Sequence, residues 1–459
     1  MQLMRIRLSC FLLLLSIGLH AQETIQEKEN YSFSLEEAIN FALDSSYTAI
    51  NAKRDIAAAA KQKWETTADG LPQISAAVDY QNNIKRPVQL LPGELAGGAP
   101  GTFIPVQFGT KQNLAATATA SQLLFDGSYI VGVRAAKTFE KYTTTNAERT
   151  ALEIRQDVID AYGNVLLAEE SVAILKSNKD NLEDNLEETR KIFENGLQEE
   201  ESVEQLQITF LQISNELNNA KRLVAIARDA LKLTLGIPLE KEVNLIDTLK
   251  GLVENNISLT LLNSEINIEE NLDYQLAQVQ IEQREHELNL QKAQALPTLS
   301  TFINYGTTGN SEKFTFLNDN QQWFQSSIWG VSLNIPIFSS LKRSAQTAQA
   351  RIALDQAQTQ FEQSKEQIRL GMTRAKNDYQ YAIEKYQTSQ QNLALAKRIE
   401  NKNQIKFSEG IATSFELRQA QTQLYDAQQE LLQSMLEVLN AKAALETLLN
   451  TPNLNFTNK

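Results

Sequence analysis

The chain has 459 residues, with 43 Lys and Arg against 56 Asp and Glu, for a formal net charge of −13. So acidic a balance argues against a nucleic-acid partner, and a single cysteine, Cys10, leaves no disulfide framework. Beyond residue 21 no apolar run approaches the ~18 residues a membrane helix needs, although a β-barrel strand needs only about 9–11 alternating residues.

Residues 1–21 read as a secretory signal peptide. Arg5 and Arg7 form its basic region, Phe11 to Leu19 its apolar core, and Leu19-His20-Ala21 a cleavage site before Gln22. Cys10 lies ahead of the apolar core, where a lipid-attachment cysteine cannot lie, and it leaves with the leader. Loss of Arg5 and Arg7 takes the net charge to −15.

Ser34-Leu35-Glu36-Glu37 has the form of a capping box and opens a helix expected to run to about Ala68, ended by Gly70-Leu71-Pro72. A strand follows, with Ile74, Ala76, Val78 and Tyr80 on one side and Gln73, Ser75, Ala77 and Asp79 on the other. A Gly- and Pro-rich loop at 81–112 leads to a second alternating segment, Leu114 to Phe125. From Asp126 to Glu194 the pattern is one helix of roughly 100 Å at 1.5 Å per residue, with Ile154, Val158, Ala161, Val165, Ala168, Val172, Leu175, Leu182, Leu186 and Phe193 in alternating steps of four and three, Lys179 and Thr189 filling the gaps. That 3.5-residue period is a narrow coiled-coil seam. Asn195-Gly196 breaks it, and Val203, Leu206, Ile213, Leu217 and Leu231 carry a return helix to about Leu235, ahead of Pro238.

The pattern then returns at an offset of 214: Gly196 falls on Gly410, Phe193 on Phe407, Val158 on Met372, Leu206 on Ala420 and Pro238 on Pro452. This is an internal duplication. Residues 22–238 form the first repeat, 239–265 an aperiodic link of short elements packed outside the helices, 266–452 the second repeat and 453–459 a tail. The second repeat opens with a helix expected over 266–295, then a strand carrying Leu299, Thr301, Ile303 and Tyr305, a loop at 307–327, and a strand from Trp329 to Phe338. Pro336 belongs near that strand's end. The two short helices of the first half, 34–68 and 197–235, together match the long one, as if stacked end to end.

The fold class expected is mainly α with a small β part, four strands in two hairpins. Two hairpins cannot close a barrel alone, since the smallest outer-membrane barrels have about eight strands. His286, within Arg284-Glu285-His286-Glu287, is the one histidine left after cleavage. A zinc site would want more His or Cys ligands, and no nucleophile motif supports a serine triad. A solvated helix face is the better reading. No enzyme, cofactor or metal site is expected.

The tandem repeat, the helix–Leu-Pro–strand–loop–strand–long helix order in each half, Phe125-Asp126-Gly127 answered by Phe338-Ser339-Ser340, and the breaks at Gly196 and Gly410 together resemble the TolC-like outer-membrane efflux family, over nearly the whole mature chain. The resemblance implies a homotrimer in the outer membrane of a Gram-negative bacterium, with antiparallel coiled coils forming a periplasmic α-barrel continuous with a 12-stranded β-barrel. It implies a passive exit duct of a tripartite efflux pump, fed by an inner-membrane transporter and a periplasmic adaptor. The outer-membrane duct of a type I protein secretion system is the alternative, and a pore-less periplasmic coiled-coil scaffold is the competing class.

The family places its periplasmic entrance at the helix breaks. By its motif Glu416 and Gln419, in Ser414-Phe415-Glu416-Leu417-Arg418-Gln419-Ala420, match two aspartates of the constriction and Ser202 a third. The chain departs from the pattern at two of the three, and Glu199, Glu200 and Glu201 are candidates for the missing charge, with Arg418 or Lys406 as pairing partners. Thr413-x-x-Glu416 also reads as a capping box. Gly196 and Gly410 mark tips that would meet the adaptor, and Trp323, Phe324 and Trp329 are candidates for an aromatic belt at the interface with outer-membrane lipid.

Overall fold

The structure is a computed structural model that describes residues 30–196, 198–263 and 267–451; the leader with Cys10, Pro452 and the tail 453–459 lie outside them. In chain order the elements are β1 (Asn30–Phe33), α1 (Leu35–Ser45), α2 (Tyr47–Ala68), β2 (Gln73–Asn82), β3 (Val88–Pro92), β4 (Phe103–Gln107), β5 (Gln112–Phe125) and α3 (Gly127–Glu194). Then come α4 (Glu200–Leu235), β6 (Glu242–Leu245), α5 (Leu249–Asn256), α6 (Leu272–Ala293), β7 (Thr298–Ser311), β8 (Trp323–Asn334), α7 (Lys342–Ser408) and α8 (Ser414–Leu448). The chain is mainly helical with a small β part. The described residues divide into two compact units, one within 30–46, 155–257 and 382–440, the other within 47–154, 258–381 and 441–451.

In the first unit the seam positions Val158, Val165, Leu182, Leu206, Ile213, Leu217 and Leu231 are buried. Ile159, Tyr162 and Leu166 are buried with them, so this part of α3 is covered on more than its seam. The capping box at Ser34 is formed: its N–H donates to Glu37 Oε2 at 2.8 Å and its hydroxyl accepts from the Glu37 N–H. The helix expected over 34–68 does not run through. It breaks at Ser46, whose ψ of 146° is extended. There the C-terminus of α4 arrives: Ser45 Oγ donates to the Leu235 carbonyl at 2.8 Å, and Gly236, at φ +77°, packs so close to Ser45 that a Cβ would meet its carbonyl oxygen. The link holds a strand, β6, paired in parallel with β1. Tyr162, fully buried, donates from its hydroxyl to the Phe33 carbonyl (2.9 Å) or to Asp247 Oδ2 (3.0 Å), and Asp247 also accepts from the Leu35 N–H.

In the second unit the helix expected over 266–295 starts only at Leu272. Asn271 caps it, accepting from the Tyr274 N–H and donating from Nδ2 to the Leu448 carbonyl at 2.9 Å. The four long strands form one antiparallel sheet in the order β2-β5-β7-β8. β7 and β8 are longer than expected, so the loop shrinks to 312–322, and β8 ends at Asn334, before Pro336. The loop expected over 81–112 contains a hairpin of its own, β3 with β4. The two strand-to-helix junctions differ. Asp126 caps α3 by accepting from the Ser128 and Tyr129 N–H groups, whereas Ser340 and Leu341 turn through positive φ and Arg343 donates to the Pro336 carbonyl.

Candidate functional site

The sheet is amphipathic, and its register shows how. Ile74 stands opposite Ala120, Ala120 opposite Ile303 and Ile303 opposite Trp329; Tyr80, Leu114, Gly309 and Trp323 line up in the same way. Since cross-strand partners share a face, Ile74, Val78, Tyr80, Ile303, Tyr305, Trp329, Val331 and Leu333 lie on one side. Ser75, Asp79, Thr117, Thr119, Asn304, Ser326 and Ser332 lie on the other. The apolar side is open: Ile74 is 81% and Trp329 69% exposed. The outer strands β2 and β8 have no strand beyond them among the described residues. A soluble sheet buries its apolar face and guards its edges; this one does neither.

The three aromatics of the expected belt separate. Trp323 sits at the loop end of the apolar face beside Phe316. Trp329 lies further down that face, its indole N–H donating to Thr301 Oγ1 at 3.1 Å. Phe324 is displaced by one register step onto the polar face, so it does not share their surface. Phe324 and Trp323 belong to β8 rather than to a loop.

The helix breaks lie in the first unit. Gly196 and Gly410 have φ of +74° and +72°. At the second break the Gly410 N–H donates to the Phe407 carbonyl and the Ile411 N–H to the Lys406 carbonyl at 2.8 Å, a Schellman closure. The capping box is present: the Thr413 N–H donates to Glu416 Oε2 at 2.8 Å, and Thr413 Oγ1 accepts from the Glu416 N–H. The Thr413 backbone bond holds the Glu416 carboxyl below the usual carboxylate range, aided by the Thr413 hydroxyl and by Lys406. Arg418 does not reach for it; its guanidinium lies over the Phe415 ring. At the first break Glu199 caps α4 through backbone geometry alone. Glu201 accepts from Gln205 Nε2 (2.8 Å) and Gln205 Oε1 accepts from Ser414 Oγ (3.4 Å), so Glu201 is linked to the start of α8. Glu199, Glu200 and Gln419 are exposed and Ser202 is half-buried.

Polar pairs within the helical layer escaped the sequence reading. Asn185 and Gln404 exchange amide hydrogen bonds at 2.7 and 3.2 Å, and Asn178 donates to Gln428 at 2.9 Å. Thr189 is fully buried, and Asn178 and Gln421 nearly so. Such pairs fix register while adding little net stability. His286 is half-buried rather than solvated, 2.9 Å from Thr138 Oγ1. Among the described residues no cluster of three His, Cys, Asp or Glu is placed to hold a metal ion, and no helix is long and apolar enough to cross a membrane.

The family model of outer membrane efflux proteins matches residues 39–237 and 265–451. The chain belongs to the outer membrane efflux protein family. The outer membrane protein TolC of Vibrio cholerae is 24% identical over 345 residues, 73% of this chain and 77% of that one. Among solved structures, the outer membrane protein VceC of Vibrio cholerae aligns with a TM-score of 0.70 at 16% identity, over 90% of this chain and 95% of that one. The outer membrane channel CmeC of Campylobacter jejuni aligns at 0.69 and 16%, over 90% and 85%. This efflux-family chain is therefore an outer-membrane protein of a channel family, with a large helical part in the periplasm. Its sheet is the element with both the face and the edges for a membrane.

Proposed function

We propose that three copies of this chain close one 12-stranded barrel through the free edges of β2 and β8, and that the assembly is the outer-membrane exit duct of a tripartite efflux pump. The observation that carries this is the four-stranded sheet with an open apolar face and two unpaired edges. In hydrocarbon every backbone group must be paired, so the edges require further strands from other copies. Two copies would give eight strands, an interior filled by side chains, whereas 12 leave a lumen. A scaffold would have no use for such a sheet. The polar faces of β2, β5, β7 and β8 then line the lumen, and Trp323 and Trp329 face lipid.

The two breaks at Gly196 and Gly410 have the same left-handed geometry, which suits six similar tips meeting a ring of adaptor hairpins. Glu416, Gln419, Ser202 and the run Glu199, Glu200 and Glu201 would narrow the periplasmic mouth and attract cations. The duct is a passive conduit, its selectivity set by width and lumen charge. Extraction and bilayer recording test the reading together. The protein should stay with membranes in carbonate, leave them only in detergent, and conduct ions when reconstituted. Release by carbonate with no conductance would leave a peripheral scaffold instead.

A further inference from the structure

The β3–β4 hairpin is an exposed apolar feature outside the four-stranded sheet, and neither the sheet's closure nor the tips use it. Between Arg86 and Lys111 the one charged residue is Glu94. Val88, Leu90, Pro92, Phe103 and Pro105 share one face of the ribbon by register. On that face Leu90 is 65% and Phe103 62% exposed, and Leu95 in the turn is 76% exposed. The base is anchored, with the Asn83 N–H donating to the Lys111 carbonyl at 2.8 Å and Arg86 paired to Glu312 at 3.0 Å. A two-stranded ribbon alone is marginal in water, and an apolar surface of this kind marks a contact site.

We propose that the hairpins of the three copies pack these faces against one another across the outer mouth of the barrel, as a lid at the loop end of the sheet. This rests on the three-copy barrel proposed above. The hairpin lies in the β2–β5 connection, so it rises beside the free edge of β2, where the neighbouring copy must begin. It also has the reach. Strands about 4.8 Å apart and tilted by about 40° give a 12-stranded barrel a radius of about 12 Å, and β3 alone spans about 17 Å. Burial of the ribbon in the outer leaflet is disfavoured, because its two open backbone edges would find no partners in hydrocarbon. Pro92 and Pro105 weaken the edges for strand addition, which leaves the apolar face as the contacting surface.

The test uses Leu95→Cys and, separately, Phe103→Cys, each with Cys10→Ser, in the full chain purified in detergent. Mass is measured first. A trimer whose cysteines are joined into covalent dimers by mild oxidation or a short bismaleimide supports the lid. Replacing 88–107 by a short Gly-Ser linker should then raise single-channel conductance at least two-fold. A trimer whose thiols react with a bulky maleimide as fast as a free thiol, with no cross-link, overturns the lid and leaves the barrel standing. A spin label at Leu95→Cys that collides with membrane-dissolved oxygen in proteoliposomes overturns it in favour of the leaflet. A monomeric mass overturns the lid together with the barrel.

Discussion

Replacing Gly410 by valine isolates the backbone geometry of a tip. Gly410 sits at φ +72° and an added Cβ would meet nothing within 4 Å, so the whole penalty is conformational and none of it is a clash. A left-handed conformation costs an L-residue about 1–2 kcal/mol, less for asparagine and more for a β-branched side chain. A penalty of that size multiplies local opening about 5–30-fold. The bonds that open are those from the Gly410 and Ile411 N–H groups to Phe407 and Lys406. Amide hydrogen exchange at Ile411 and Ala412 in the detergent-solubilised protein should therefore rise in the order Asn, Ala, Val. Export of a reporter substrate in cells should fall in the same order at constant protein abundance. Equal exchange in Gly410→Asn and Gly410→Val would show that the tip does not depend on the left-handed turn. Faster exchange with unchanged export would separate the tip from adaptor docking.

Ile303→Arg puts a charge on the apolar face beside Ala120 and Trp329. It should cost about 2–4 kcal/mol if that face meets lipid and reduce folded protein in the membrane, while Asn304→Arg, on the polar face, should assemble and shift conductance toward anions; equal yields would reject the assignment of faces. Tyr162→Phe removes the hydroxyl shared by Phe33 and Asp247. The loss is about 1–3 kcal/mol, read as a lower thermal midpoint and faster proteolysis within 239–256; an unchanged midpoint would remove that role. Glu416 has a folded-state pKa below its ordinary value, so its cap is fully present above the unfolded carboxyl pKa of about 4.5 and is lost as pH falls through the lower folded value. Protection of the amides at the start of α8, taken relative to their intrinsic exchange rates, should fall on that acid side in the native protein and show no such pH-dependent fall in Glu416→Ala. The same variant should weaken cation selectivity and block by multivalent cations; unchanged values would leave Glu416 as a helix cap alone.

The helices were legible because their seam repeats at fixed spacing: Ile154 to Phe193 and their second-half counterparts announce the long helices, and Asn195-Gly196 and Gly410 announce where they turn. The strands were legible in type, since alternation at Ile74–Tyr80 and Leu299–Tyr305 is local. The break at Ser46 was not. No Pro or Gly marks it; it follows from Leu235 and Gly236 arriving from 190 residues away in the chain. The late start of α6 is similar, since Asn271 is one of several asparagines before that helix and its second partner, the Leu448 carbonyl, is remote. The β3–β4 hairpin was hidden by its prolines and glycines, which read as loop. Adjacency in sequence joins Phe324 to Trp323, whereas neighbours in a strand face opposite ways. The Asn185–Gln404 pair leaves no mark in the sequence pattern, because apolar periodicity does not register half-buried amides.

How many chains share one sheet decides whether a lumen can form. The mass of the detergent-solubilised particle, corrected for bound detergent and measured on protein that conducts in bilayers, tests this most directly. Three chains per conducting particle is the predicted result, with the particle separating only when the sheet edges are broken. A conducting particle of one or two chains would contradict the 12-stranded closure, and with it the duct.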